Sequence, residues 1–264
     1  YEGVGKVKGP VVPMIAIPTT AGTGSEVTAF SVITDHSRNY KLTIVSNYLL
    51  PTYAILDAEL IQTVPQGTAA ACGMDAFIHA LEAYVSLAAS PFSDMFAEKA
   101  LTLIGGNIRE YVEDRTDKAA SEAMMIGSLF AGIAFSHARL GNVHAMSHPV
   151  SAYFDVPHGV ANAILLPTVV EYNCKEAAQK YFFIYNTITQ TKMEASEFTP
   201  DMLAPEIRIL NHELGIPTSL EEVGVKSECF DAMADDAMKS GNIFVNPRKT
   251  TKSDILDLYH KAYM

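Results

Sequence analysis

The chain has 264 residues, 48% of them hydrophobic, and a net charge of −11 from 19 Lys and Arg against 30 Asp and Glu. That is enough apolar material for the core of one large or two ordinary domains, and it argues against disorder. The acidic balance, with no basic stripe, speaks against nucleic acid or an anionic membrane as a partner. The apolar run at 161–170 is far shorter than the ~20 residues of a membrane span.

In chain order, residues 11–20 (VVPMIAIPTT), 30–35 (FSVITD), 41–46 (KLTIVS) and 53–57 (YAILD) are short β-branched or aromatic runs between Gly, Asn, Asp and Pro. This is the texture of strands and turns, with Asp35 to Asn39 as a hairpin loop. After Pro65 the periodicity becomes helical. It predicts helices over 66–86, 93–104, 118–135, 142–153, 158–171, 175–191, 201–213, 227–239 and 252–263. Ser93 opens the second of these and Gly105-Gly106 close it. Thr199-Pro200-Asp201 starts a later one that Gly215-Ile216-Pro217 stops, and Ser253-Asp254 begins the last. The expected fold is therefore mainly α: a small β-containing piece over 1–64, then a large all-helical domain over 65–264. No export leader is visible. Cys72, Cys174 and Cys229 are too few and too scattered for a disulfide framework, which points to a reducing cytoplasm.

Asp75 and His79 lie four apart in GMDAFIHALEAY, so a carboxylate and an imidazole leave one helix face. The small and apolar residues around them bury that face, and a buried Asp demands a partner. Glu82 shares the face, as a rival ligand or, preferably, a group behind a ligand. In GNVHAMSHPVSAYFDVPHGVANAILLP, three histidines, His144, His148 and His158, are interrupted by Pro149, Pro157 and Gly159, so a turn can bring the last beside the first. Spacing favours His144 with His148 as a ligand pair, whereas His158 suits the first turn of a helix; spacing leaves both sets open. His137 reads as a helix cap, and Cys72 as a buried thiol rather than a ligand. Three imidazoles and a carboxylate suit Fe(II), Zn(II) or a neighbouring ion better than Ca or Mg. In IPTTAGTGSEVT, the residues Thr19, Thr20, Gly22, Thr23, Gly24 and Ser25 follow a strand; from the residues alone they read first as a plain turn and second as hydroxyl and backbone donors to a diphosphate. The stretch has neither the G-x-G-x-x-G spacing nor a P-loop lysine.

Taken together, IPTTAGTGSEVT, YAILDAEL, GMDAFIHALEAY, ARLGNVHAMSHPVSAYFDVPHGVANAILLP, LGIP and NPR, in this order, resemble the iron-containing (group III) alcohol dehydrogenase family over nearly the whole chain. The resemblance implies an enzyme that moves hydride reversibly between a small primary alcohol or diol and NAD(H) or NADP(H). It implies that an all-helical domain holds Fe(II), or Zn(II) or another divalent ion, through Asp75, His79, His144 and His158, leaving His148 for proton transfer. Thr19, Thr20, Gly22, Thr23 and Lys41 would face the nicotinamide cofactor, and Phe30 and Phe135 the alcohol or aldehyde. The expected setting is a cytoplasmic homo-oligomer with no nucleic-acid or membrane partner. The family's GGGS diphosphate loop does not occur in the chain, so residues 1–64 correspond to the C-terminal part of a Rossmann-like dinucleotide-binding domain. The alternatives are a non-catalytic metal-binding or assembly fragment of such an enzyme, or a glycerol dehydrogenase-like relative. His137 and Asn142 depart from the family's usual residues and are expected to tune the pocket.

Overall fold

The computed structural model describes residues 1–38 and 40–264. The first part contains strands β1 (Gly3–Val4), β2 (Ile15–Ala16), β3 (Phe30–Asp35), β4 (Tyr40–Val45) and β5 (Tyr53–Ala54). β3 and β4 pair antiparallel, from Phe30 opposite Val45 to Asp35 opposite Tyr40; β1 joins β4 in parallel, and β2 joins β5 in parallel. Asp35 closes the hairpin, its Oδ1 accepting from the Ser37 amide (3.0 Å) and hydroxyl (2.6 Å). Asn39, placed in this loop by the sequence, lies outside the described residues. The runs at 11–20 and 53–57 shrink to two residues each. Pro10, Pro13 and Pro18 remove ladder donors, and each strand has a single partner. β1 was not expected, because a Gly- and Lys-rich segment carries no strand pattern; β4 supplies the pairing edge. Val12, Met14, Ile15, Ile17, Tyr53 and Ile55, around β2 and β5, are exposed.

The rest is helical: α1 (Gln66–Val85), α2 (Pro91–Glu113), α3 (Lys118–Ala138), α4 (Asn142–Phe154), α5 (His158–Asn173), α6 (Ala178–Thr189), α7 (Leu203–Glu213), α8 (Phe230–Met238) and α9 (Lys252–Tyr263). α1 is the axis of this part. Every residue from Gly73 to Val85 is buried, and the helix packs on α2, α3 and α5. A helix that is small and apolar on all sides has to sit inside, so the two carboxylates it carries, Asp75 and Glu82, are forced into the interior with it.

Several helix ends differ from the expectation, each for a physical reason. α2 is capped by Ser90, with Pro91 at its first position and Ser93 bonding back to the Ser90 amide (2.8 Å). It runs through Gly105 and Gly106 to Glu113: a Cβ at Gly105 would sit 2.8 Å from Cγ2 of Thr187, so this glycine serves the approach of α6, not a helix end. α7 and α8 begin after 3-10 turns at Pro200–Met202 and Ser227–Cys229. α6 starts later than expected, at Ala178, and α9 is capped by Thr251, whose hydroxyl is engaged by Asp254 (2.5 Å). Gly215, at φ +69°, does end α7. A search for continuous apolar runs misses α3. By length and composition it could cross a membrane (18-residue window, mean hydropathy 1.4), but 61% of that window is buried within the fold.

Two local features aim the histidines. Asp155, in the left-handed conformation at φ 53°, reverses the chain after α4, and Pro157 leads into α5. Gly159 then seats the first turn of α5 directly on the backbone of α1 at Ala71, one turn before Asp75.

Candidate metal centre

Asp75 and His79 leave the same face of α1, as their spacing requires, and both are buried. α4 brings in His144, and the start of α5 brings in His158. All three imidazoles turn Nε2 toward one oxygen, Oδ1 of Asp75: His144 at 3.5 Å, His79 at 3.8 Å and His158 at 3.8 Å. Ligand atoms of Asp75, His79 and His144 all lie within 4.8 Å of one another, a tighter group than one including His158. His148 shows no such contact with Asp75; its ring centroid is 6.4 Å from that of His144 and 5.3 Å from that of His158. The i, i+4 spacing of His144 and His148 therefore does not make them equivalent. Only the first reaches the carboxylate.

The groups behind the imidazoles fix their orientation. His144 Nδ1 donates to Oε2 of Glu82 at 2.6 Å, while Oε1 of Glu82 accepts from the Val143 amide at 2.7 Å, at the amino end of α4. The carboxylate thus sets the tautomer that leaves the Nε2 lone pair facing Asp75. His79 Nδ1 lies 3.3 Å from the Gly22 carbonyl in the Thr-rich loop. His158 Nδ1 is buried with no hydrogen-bond partner among the described residues.

Spacing did not single out Asn162. It is fully buried, and its Nδ2 donates to Asp75 Oδ1 (2.7 Å) while lying 3.1 Å from His144 Nε2 and 3.2 Å from His158 Nε2. The signal was present: Asn162 is one turn after His158, the same spacing that links Asp75 to His79. One amide with two hydrogens faces three electron-pair donors, and its own Oδ1 is left unpaired. So concentrated a set of inward lone pairs fits a divalent cation.

The titration of these groups follows from their burial and from one another. Burial alone would raise the Asp75 carboxyl, yet the surrounding imidazoles hold it well below the usual carboxylate range. Burial pulls His79 down to about 4 and His158 to about 3. For His144, burial is outweighed by the Asp75 and Glu82 carboxylates, which push it up to about 9, so with no ion present its Nε2 keeps a proton toward Asp75 that a cation would have to displace. Burial also lowers His148 well below the ordinary value, with repulsion from His158, His144 and Lys41 adding to it. Cys72 is not part of the cluster. Its thiol is pushed up to about 11, chiefly by burial.

The cluster opens into a cavity of about 770 Å³ whose walls include Thr23, Phe30, Lys41, Phe135 and His148. Phe135 packs on the His79 ring (4.6 Å between centroids) and Phe30 on Phe135 (5.9 Å), an apolar wall beside the ligands. Of the loop residues, Thr23 lines the cavity, Gly22 is buried against α1, and Thr19 and Thr20 lie outside the lining. Neither His137 nor Asn142 lines it, contrary to the expectation that they tune the pocket. The exposed His137 ring meets Phe92 edge-on at 4.9 Å, and buried Asn142 donates to the Thr250 hydroxyl at 2.9 Å.

Glu82→Ala is expected to weaken divalent metal binding roughly 10- to 100-fold, since His144 loses the group that fixes its tautomer. Competition with a chromophoric chelator measures this; unchanged affinity would mean that Glu82 serves only the end of α4.

Comparison with known proteins extends this picture. The family model "Iron-containing alcohol dehydrogenase" matches residues 1–58, and "Fe-containing alcohol dehydrogenase family, C-terminal" matches residues 69–263. The chain is 41% identical to the 1,3-propanediol dehydrogenase of Citrobacter freundii, covering 100% of this chain and 68% of that protein. It is 40% identical to the lactaldehyde reductase of Escherichia coli K12, over 99% of this chain and 68% of that protein. Among solved structures, the alcohol dehydrogenase from Oenococcus oeni superposes with a TM-score of 0.93 at 38% identity, over 99% of this chain and 69% of that one. A buried carboxylate ringed by three imidazoles, matched family models over both parts and relatives that are alcohol and diol oxidoreductases lead to one conclusion: the chain belongs to the iron-containing alcohol dehydrogenase family.

Proposed function

We propose that Asp75, His79, His144 and His158 hold a divalent ion, iron in the first instance, at the floor of a cavity where a small primary alcohol or diol meets NAD(H) or NADP(H). The observation that carries this reading is the convergence of three imidazole Nε2 atoms on Asp75 Oδ1. A bound divalent ion supplies Lewis acidity, which lowers the pKa of an alcohol hydroxyl. The chain's own residues do the rest. Phe30 and Phe135 exclude water from one side of the cluster and contact the carbon chain. Thr23 and Lys41 line the approach for the nicotinamide, with Thr19, Thr20 and Gly22 forming the loop behind Thr23. Hydride leaves the carbinol carbon for the nicotinamide while His148, on the cavity wall one turn from His144, takes the hydroxyl proton and passes it to water.

Residues 1–64 are read as the end of a dinucleotide-binding domain, and the exposed apolar side chains around β2 and β5 support a larger layer packed there. The three cysteines are free, which supports a reducing cytoplasm as the setting.

The test is elemental analysis of anaerobically purified full-length protein beside NAD- and NADP-linked oxidation of 1,2- and 1,3-propanediol. Stoichiometric metal with no oxidation of either diol by either cofactor would sink the substrate reading. His148→Ala is expected to lower kcat about a hundredfold or more at unchanged metal content; loss of metal in that variant would reassign His148 to the ligand set.

A further inference from the structure

The cavity that contains the metal cluster also carries charged groups with no part in it: Glu2, Lys41, Arg139, Asp236 and Lys239. Its two outlying carboxylates are already matched. Glu2 pairs with Arg38 at 3.0 Å, and Asp236 pairs with Lys239 at 2.6 Å and accepts from the Tyr153 hydroxyl at 3.0 Å. Arg139 is an exposed residue on the cavity wall, with no side-chain hydrogen bond and no carboxylate partner among the described residues, and its guanidinium is permanently charged. Its placement is also strained. It ends α3 at φ 64° and ψ −172°, a backbone region left to glycine in most chains. The guanidinium lies so close over Gly241 that a Cβ there would sit 2.4 Å from its Nη2. The next residue, Asn242, lines the same cavity.

A strained backbone, a bare glycine beneath the side chain and an unmatched cation all serve to present a guanidinium to the cavity. We propose that Arg139 determines substrate choice by receiving the anionic end, a carboxylate or sulfonate, of a short substrate whose hydroxyl or aldehyde group lies at the imidazole cluster. This rests on the dehydrogenase reading above and narrows it. The guanidinium offers two parallel N–H donors to such a group, a geometry that a lysine does not reproduce. Phe30 and Phe135 face the carbons between the two ends, and the Lys41 cation on the same wall adds to the attraction.

The experiment compares kcat/KM for reduction of 4-oxobutanoate and of butanal by the full-length, metal-loaded protein, with whichever of NADH and NADPH it uses. The parent is expected to favour 4-oxobutanoate at least tenfold. Arg139→Gln should collapse that ratio to near one, Arg139→Lys should restore part of it, and Gly241→Ala should reduce it by displacing the guanidinium. Equal use of the two aldehydes by the parent would overturn the proposal, as would an unchanged ratio in Arg139→Gln. A rise in the KM for the nicotinamide cofactor that is the same with both aldehydes would also overturn it, assigning Arg139 to the cofactor diphosphate instead. Reduction of neither aldehyde would count against the dehydrogenase reading itself, and the proposal would fall with it.

Discussion

Asp75→Ala protein is expected to lose its divalent ion on purification. Three imidazoles are aimed at Oδ1 of this residue, and Asn162 donates to the same oxygen. Without it no anionic donor remains at the centre, since Glu82 is engaged behind His144. Removing a group behind a ligand costs metal affinity roughly 10- to 100-fold, so loss of the carboxylate itself should exceed the upper end of that range. Binding that favours the native state stabilises it by about 2.7 kcal/mol at a hundredfold excess over Kd. The metal-dependent rise in Tm expected of the parent should therefore vanish in the variant, and its metal-free Tm should itself fall, because His144 and Asn162 lose their buried partner. An undiminished metal-dependent rise would mean that the carboxylate is not a ligand.

Gly159→Ala should be the most damaging of the conservative changes. A Cβ at this position would lie 2.1 Å from the carbonyl oxygen of Ala71 and 2.6 Å from its carbonyl carbon. These are backbone atoms of a buried helix, so no side chain can swing away, and α5 must move off α1. Overpacking of this kind costs about 3 kcal/mol. The neighbouring residue is His158, so the same displacement carries an imidazole away from Asp75. Denaturant unfolding should show the lost stability, and metal titration of the folded fraction a weaker site. A variant as stable as its parent, with normal metal affinity, would show that the first turn of α5 can slide along α1 without consequence.

Parts of this molecule can be read directly from the residues. The Asp75 and His79 pair follows from helical spacing, and the apolar flanks of α1 foretell its burial. Nine helices were expected, and nine are found among the described residues. The choice among His144, His148 and His158 was a different matter. It depends on the reversal at Asp155 and on the seat of Gly159 against Ala71, contacts between residues distant in the chain that no local pattern encodes. Gly105 misled for the same reason: a glycine is a helix-ending signal in isolation, and here the nearness of Thr187 decides its use. Asn162 was legible in principle, one turn from a histidine on a buried face, but amides do not stand out in a search for ligands. Arg139 was beyond reach, because a strained φ and an absent counter-ion exist only in three dimensions.

The hydrogen bond between Gly22 and His79 joins the two halves of the chain at their most sensitive point. One ring of the centre takes its orientation from a loop in the β-containing part, more than fifty positions upstream. The border near Pro65 is therefore a division of architecture but not of chemistry. A chimera that borrows residues 1–64 from another member of the family inherits, with the foreign loop, a different support for His79. On the proposed reading, such an exchange is expected to alter affinity for the ion as well.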